Sequence, residues 1–115
     1  MHEELIWVDA APSDAVIIDA MLPVTVGRVE LIVTRTADDV HALADLCPHA
    51  MVPIHGGECR DGVITCPFHD WRFSVRTGAP LGFTKGSLRR FGCREINGTV
   101  QVELPTWMVA PLRRL

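Results

Sequence analysis

The segment CPHAMVPIHGGECRDGVITCPFH, residues 47–69, decides the fold of this chain. It contains two short motifs, Cys47-Pro48-His49 and Cys66-Pro67-Phe68-His69, with the sixteen residues 50–65 between them. In each motif a proline follows the cysteine and restricts the backbone angle at the loop tip. Two stiff loops that face each other would bring two thiolates and two imidazoles to one place.

Two kinds of metal site fit this set of donors. A structural zinc ion takes two Cys and two His, but its motifs usually begin with two cysteines roughly two to four residues apart. Here each motif supplies one cysteine and one histidine. A cluster of two irons and two sulfides fits better, because both thiolates can bind one iron and both imidazoles the other. Each loop then spans the cluster, and zinc remains the alternative.

Outside this segment the sequence alternates between apolar and polar residues, which is the pattern of β-strands. It predicts strands at residues 5–8, 16–19, 29–35, 40–44, 88–96 and 99–104. The pair Asn97-Gly98 is typical of a tight hairpin turn, and the polar residues 36–39 are suited to another. The sequence therefore predicts an all-β, antiparallel chain with a loop-rich segment inserted between its strands.

Composition excludes several classes of protein. The chain has 115 residues, 48% of them apolar, and a net charge of −3. Its apolar runs are too short for a membrane span of ~18 residues, and its acidic start is unlike a secretory signal. The negative charge argues against a nucleic-acid binder. We expect one cytoplasmic domain, in a reducing compartment where cysteines bind metal rather than form disulfides.

The two motifs, with Trp71-Arg72-Phe73 and Thr77-Gly78 after them, resemble the Rieske-type ferredoxins. The resemblance implies a Rieske fold of three stacked antiparallel sheets in a single domain, residues 1–115. A small cluster-binding subdomain, about 45–85, would be set on a base part, about 1–44 and 86–115. It also implies one [2Fe-2S] cluster, a third loop at Gly78-Ala79-Pro80 that covers it, and four ligands: Cys47, His49, Cys66 and His69.

The resemblance also implies a soluble, low-potential type. High-potential relatives have a second pair of cysteines at the positions of Val52 and Phe68. They also have a serine and a tyrosine at the positions of Trp71 and Phe73. This chain has none of the four.

Three further positions carry smaller predictions. The remaining cysteines, Cys59 and Cys93, match neither bridging position, and we predict unpaired thiols. We interpret His55 as a surface imidazole that is not a ligand. Asp70 stands where many relatives have a glycine directly after the second histidine, and it places a negative charge beside His69.

No catalytic apparatus accompanies the motifs. The sequence lacks both a two-His, one-carboxylate iron site and a nucleotide-binding glycine motif. We therefore predict an electron-transfer component rather than an enzyme. By resemblance it takes electrons from a flavin-dependent reductase and passes them to a terminal ring-hydroxylating (Rieske non-haem iron) oxygenase. We expect a monomer that binds no nucleic acid, membrane or small-molecule substrate.

Three alternatives stay open. Two are other electron carriers: the ferredoxin of a diiron multicomponent monooxygenase, and the small subunit of a nitrite reductase. The third belongs to a different class and is a zinc-stabilised binding module.

Overall fold

The computed structural model describes residues 4–109, and its backbone is almost entirely β-structure. A 3₁₀ helix spans Ser13–Ala15 and a short helix, α1, spans Thr106–Val109. Neither helix of this range is long and apolar enough to cross a membrane. The strands are β1 (Leu5–Pro12), β2 (Leu22–Val26), β3 (Val29–Arg35), β4 (Val40–Ala44), β5 (Glu58–Arg60), β6 (Val63–Thr65), β7 (Arg72–Ser74), β8 (Pro80–Leu81), β9 (Arg90–Ile96) and β10 (Thr99–Pro105).

The strands form antiparallel sheets with the orders β1-β10-β9-β4-β3-β2 and β5-β6-β7-β8. The six-stranded sheet consists of two three-stranded halves. They join through two residue pairs, Ala42 with Phe91 and Leu43 with Arg90. Together with the four-stranded sheet, the halves make three antiparallel sheets. The predicted all-β, antiparallel fold of three sheets is therefore confirmed.

Strand β3 is buried on both faces, which explains why its sequence does not alternate cleanly. Leu31 and Val33 lie in one hydrophobic core, between the two halves of the six-stranded sheet. Ile32 lies in a second core, which it shares with Leu43, Ile64 and residues of the cysteine-rich segment. A strand that is covered on both sides has apolar residues in both phases.

The predicted strand at residues 16–19 is wrong. The chain turns there, with the Val16 N–H donating to the Ser13 carbonyl and the Ala20 N–H to the Ile17 carbonyl. Only an isolated bridge joins Ile18 to Arg35. The strand next in the chain is instead β2, which the sequence analysis missed because Pro23 lies inside it. An edge strand tolerates proline, since one side of its backbone has no partner strand.

Both predicted hairpins are present. Strands β3 and β4 pair on either side of residues 36–39. At the turn between β9 and β10, Asn97 and Gly98 have φ of 51° and 80°. A type I′ hairpin turn requires positive φ at both of these positions. Strand β9 begins at Arg90, two residues later than predicted.

The four-stranded sheet lies within residues 45–85, and polar contacts join it to the six-stranded sheet. Arg76 donates to an Oδ1 of Asp38 at 2.6 Å, and the Nε of Arg90 donates to the Val75 carbonyl at 3.2 Å. The division of the chain into a base part and a cluster-binding part stays a prediction.

A buried histidine lies beside this junction. His41 is 6% exposed, its Nδ1 lies 3.0 Å from a guanidinium nitrogen of Arg90, and its Nε2 lies 2.9 Å from Oγ1 of Thr36. A guanidinium can only donate, so Nδ1 accepts and the protonated Nε2 donates to Thr36. The imidazole is therefore neutral. Burial, and then the charge of Arg90, lower its pKa below 6.5.

We expect the free energy of unfolding to fall as the pH drops below about 6.5. In that range the unfolded chain takes up a proton at His41 while the folded chain does not, so acid favours unfolding. The slope from one group is at most about 1.4 kcal/mol per pH unit. Denaturant unfolding between pH 5 and 8 should show this slope in the difference between the wild type and His41→Gln. A difference that does not vary with pH would contradict the assignment.

Candidate metal centre

The first motif forms a closed loop after strand β4. The Cys47 N–H donates to the Val52 carbonyl at 2.8 Å, and the Met51 N–H donates back to the Cys47 carbonyl at 2.8 Å. Cys47 is fully buried at the base of the loop, and His49 is exposed at its tip.

The second motif is built in the same way and begins directly after strand β6. The Cys66 N–H donates to the Trp71 carbonyl at 2.7 Å, so this loop also closes five residues after its cysteine. The Phe68 N–H points at Sγ of Cys66 from 3.4 Å. Cys66 is 2% exposed, whereas His69 is exposed.

The two loops place their donors in two layers. The thiols of Cys47 and Cys66 lie side by side in the interior, and burial raises the pKa of the Cys66 thiol. The rings of His49 and His69 lie 5.2 Å apart, nearly perpendicular to each other. Trp71 stacks on the His49 ring at 3.9 Å between centroids, with an angle of 13° between the planes. The structure therefore brings the four predicted ligand residues together, with thiols inside and imidazoles outside.

This arrangement consists of two pairs rather than one converging set. Among residues 4–109, no three His, Cys, Asp or Glu side chains are placed to hold a single metal ion. A pair of thiols and a pair of imidazoles suit a group with two metal atoms, one bound by the thiolates and the other by the imidazoles.

A buried carboxylate that the sequence analysis missed fixes the first loop. Asp45 is 6% exposed, and its Oδ1 accepts the N–H groups of Ile54 and His55 at 2.7 and 2.9 Å. Its Oδ2 lies 2.6 Å from Nδ1 of His55. Asp45 thereby joins the two ends of the loop that contains Cys47. His55 is 42% exposed at its side chain, and that it is not a ligand stays a prediction.

The third loop of the site differs from the expected one. Pro80 pairs with Phe73 within the sheet, and a Cβ on Gly78 would lie 2.2 Å from the Leu88 carbonyl. The chain that reaches the first loop is instead residues 82–87, because a Cβ on Gly86 would lie 3.6 Å from Cγ of Pro48. The sequence does not point to residues 82–87 because this segment contains no proline, the residue that marks the expected third loop.

The other two cysteines are not among the four predicted ligands, although Cys59 lies in the same hydrophobic core as Cys47 and Cys66. Cys59 is 7% exposed, and its Sγ lies 3.6 Å from Oγ1 of Thr34. Cys93 is partly buried on β9, and burial raises its pKa to about 12. Both are free thiols, in agreement with the prediction, and neither has the lowered pKa of a reactive cysteine.

The backbone at Asp70 explains why a glycine is expected there. His69 and Asp70 have φ of 63° and 53°, in the left-handed region where an L-residue costs roughly 1–2 kcal/mol. Asp70→Gly should therefore stabilise the cluster-loaded protein by about 1 kcal/mol and raise its Tm by about 4 °C.

Two substitutions control this prediction, which is measured by following thermal unfolding with visible absorbance and circular dichroism. Asp70→Asn removes the charge but tolerates the left-handed region, so its Tm should match the wild type. Asp70→Val should be less stable than either. Equal Tm values for glycine and valine at this position would show that the backbone conformation is not the cause.

The fold and the paired loops define a small antiparallel β-protein in which two cysteine–histidine loops lie side by side. The Rieske [2Fe-2S] domain family matches residues 6–91, and the chain belongs to this family. Membership in a [2Fe-2S] family decides against the zinc module. It also agrees with the donors present, since two buried thiols and two outer imidazoles are the ligand types of a Rieske cluster.

Three similar proteins carry related names. Over 79 residues the chain is 32% identical to the anthranilate 1,2-dioxygenase ferredoxin subunit of Burkholderia cepacia, covering 68% of this chain and 73% of that protein. Over 102 residues it is 28% identical to the ferredoxin component of the alkene monooxygenase system of Xanthobacter autotrophicus, covering 88% and 84%.

The third is a solved chain from a complex of reduced oxygenase and oxidized ferredoxin in carbazole 1,9a-dioxygenase. The TM-score is 0.77 at 30% identity, over 84% of this chain and 92% of that chain. The first two names are those of electron-transfer components rather than of the catalytic oxygenases, in agreement with the prediction from the sequence.

Proposed function

We propose that this chain is a one-electron carrier that passes electrons from a flavin-dependent reductase to a terminal ring-hydroxylating oxygenase. The observation that carries the proposal is the layering of the site. The thiols are buried, and both imidazoles are exposed at the tips of two loops. Such a site can exchange electrons through its outer edge while its inner side stays dry.

We propose that Cys47 and Cys66 hold one iron of the cluster, and that His49 and His69 hold the other. When bound, the cluster supplies a reversible one-electron couple. The chain orients the ligands through the two loop-closing hydrogen bonds and through Asp45. Trp71 fixes the plane of the His49 ring by stacking on it.

The relatives support an oxygenase as the electron acceptor. The Burkholderia cepacia relative is a dioxygenase ferredoxin, and the carbazole complex pairs a ferredoxin with an oxygenase. The reductase is part of the proposal because a carrier needs an electron donor. We infer that the carrier works in the cytoplasm as a monomer. The free thiols of Cys59 and Cys93 agree with a reducing compartment.

A second candidate is the ferredoxin of a diiron monooxygenase. The observation in its favour is the alkene monooxygenase relative, which matches 88% of this chain. The nitrite reductase small subunit has weaker support. A solved protein described as such a subunit is only 21% identical and therefore shows the fold alone.

Turnover with purified components tests the proposal. NADH, a flavin-dependent reductase, this chain and an oxygenase component are combined, and the hydroxylated product is measured. We expect product that depends on this chain with a ring-hydroxylating oxygenase from the anthranilate or carbazole systems, or from the naphthalene system, whose Pseudomonas putida ferredoxin component is also similar to this chain. Product only with the alkene monooxygenase component would favour the second candidate. A chain that is chemically reducible but supports none of them would contradict the carrier function.

A further inference from the structure

One large apolar side chain on the loop beside the site is fully exposed and contributes no buried area to the fold. Phe83 is 101% exposed, so the whole ring is in water. Two more apolar side chains on the adjoining loops are largely exposed, Met51 at 68% and Phe68 at 51%. We call these three residues the tip patch. Exposed apolar side chains grouped on the loops of a site are typical of a surface of interaction.

The loop that carries Phe83 is fixed rather than free. The Thr84 N–H donates to the Leu81 carbonyl at 3.1 Å, and Oγ1 of Thr84 accepts the Arg72 N–H at 2.7 Å. Gly86 lies in van der Waals range of Pro48. These contacts tie residues 82–87 to the first cysteine–histidine loop and to strand β7, which begins directly after the second loop. The backbone that carries Phe83 is therefore held in place before any partner arrives, which lowers the entropy cost of binding.

Charge is nearly absent from this end of the molecule. Residues 47–52, 66–71 and 82–87 contain one acidic side chain, Asp70, and one basic side chain, Lys85. Their charges cancel, and the guanidinium of Arg72, which lies beside Gly82, leaves one positive charge at this end. The surface therefore offers little electrostatic attraction to a charged partner. What it offers is apolar area around the exposed imidazoles.

We propose that Phe83 is the anchor of the complex with the electron-accepting oxygenase component, and that it inserts into an apolar pocket there. The inference rests on the proposed function, because the exposed imidazoles must face the acceptor for electrons to pass. Phe83 lies on the loop that contacts the His49 loop, so an acceptor seated on the imidazoles would also cover it. Buried aromatic anchors at the centre of an interface carry most of its binding energy. A solved complex between a ferredoxin and its oxygenase supports the oxygenase as occupant.

Electron-transfer kinetics test the proposal with three variants. Phe83→Ser removes the anchor, Phe83→Leu retains an apolar side chain, and Ile96→Ser removes an exposed apolar residue at the far end of β9. The acceptor is whichever oxygenase component of the anthranilate, naphthalene and carbazole systems the wild type reduces fastest. Visible spectra and reduction potentials confirm that each variant holds an intact cluster.

We expect Phe83→Ser to raise the KM for the oxygenase about tenfold or more with little change in kcat. Phe83→Leu should recover most of the loss, Ile96→Ser should behave as the wild type, and the KM for the reductase should change less than about twofold. An unchanged oxygenase KM in Phe83→Ser would overturn the proposal, as would an equal rise with both partners. Failure of the wild type to reduce every oxygenase would instead contradict the carrier function.

Discussion

Replacing Cys47 or Cys66 by serine should abolish the cluster. Both side chains lie in the second hydrophobic core, at 0% and 2% exposure, and each begins a loop that depends on it. A serine hydroxyl is a poor iron ligand and leaves a polar group in an apolar site. Because metal binding is coupled to folding, we expect visible absorbance below about a tenth of the wild type and a Tm lower by about 10 °C or more.

Cys59 and Cys93 provide matched controls. Each is at least partly buried and each is a free thiol. Replacing it by serine therefore removes one sulfur atom but none of the four proposed ligands. Iron content, sulfide content and the visible spectrum should stay at wild-type values in both variants. If Cys59→Ser bleaches the protein while Cys47→Ser does not, the ligand assignment is wrong.

The reduction potential should lie near the low end of the Rieske range, at roughly −150 mV. With two thiolates the oxidised cluster is formally neutral, whereas four thiolates leave it more negative and harder to reduce. Rieske potentials therefore exceed those of plant-type ferredoxins. Hydrogen bonds to the sulfurs raise the potential further by stabilising the reduced state. Trp71 and Phe73 occupy the positions where high-potential relatives have hydroxyls, and the Asp70 carboxylate also disfavours reduction.

Phe73→Tyr tests directly whether a missing hydroxyl keeps the reduction potential low. Phe73 is fully buried in the core that contains Cys47 and Cys66, so the added hydroxyl must find a partner inside the protein. We expect it to donate to a cluster sulfur and to raise the midpoint potential above that of the wild type. Protein-film voltammetry of both proteins measures the difference. A wild-type potential well above zero millivolts would show that other groups set the value.

The grouping of the four candidate ligands on two loops could be predicted from the sequence because each pair of donors is local. Cys47 and His49 lie on one short loop, Cys66 and His69 on another, and spacing alone pairs the donors. The hairpins were predictable for the same reason, since Asn97 and Gly98 set their turn without help from the rest of the chain. The contact between the two loops does not follow from spacing, because the first loop follows β4 of the six-stranded sheet and the second follows β6 of the four-stranded sheet.

The supports of the site depend on contacts between distant segments, and the sequence does not reveal these. Asp45 is recognisable as an anchor only when the N–H groups of Ile54 and His55 are seen pointing at it. The third loop was predicted at residues 78–80 because a proline marks it in relatives. Residues 82–87 take that place through contacts with Pro48 and Arg72. The three apolar residues at 16–18 favour a strand over residues 16–19, although Ile17 and Ile18 are exposed on a turn.

Pulsed electron paramagnetic resonance of the reduced protein tests the central claim most directly, because it reports which atoms bind the iron. The account predicts two iron and two sulfide per chain and an unpaired electron coupled to nitrogen atoms of two imidazoles. His49→Cys and His69→Cys should each remove one of these couplings. A reduced cluster without nitrogen coupling, or a colourless protein with one zinc ion per chain, would contradict the account.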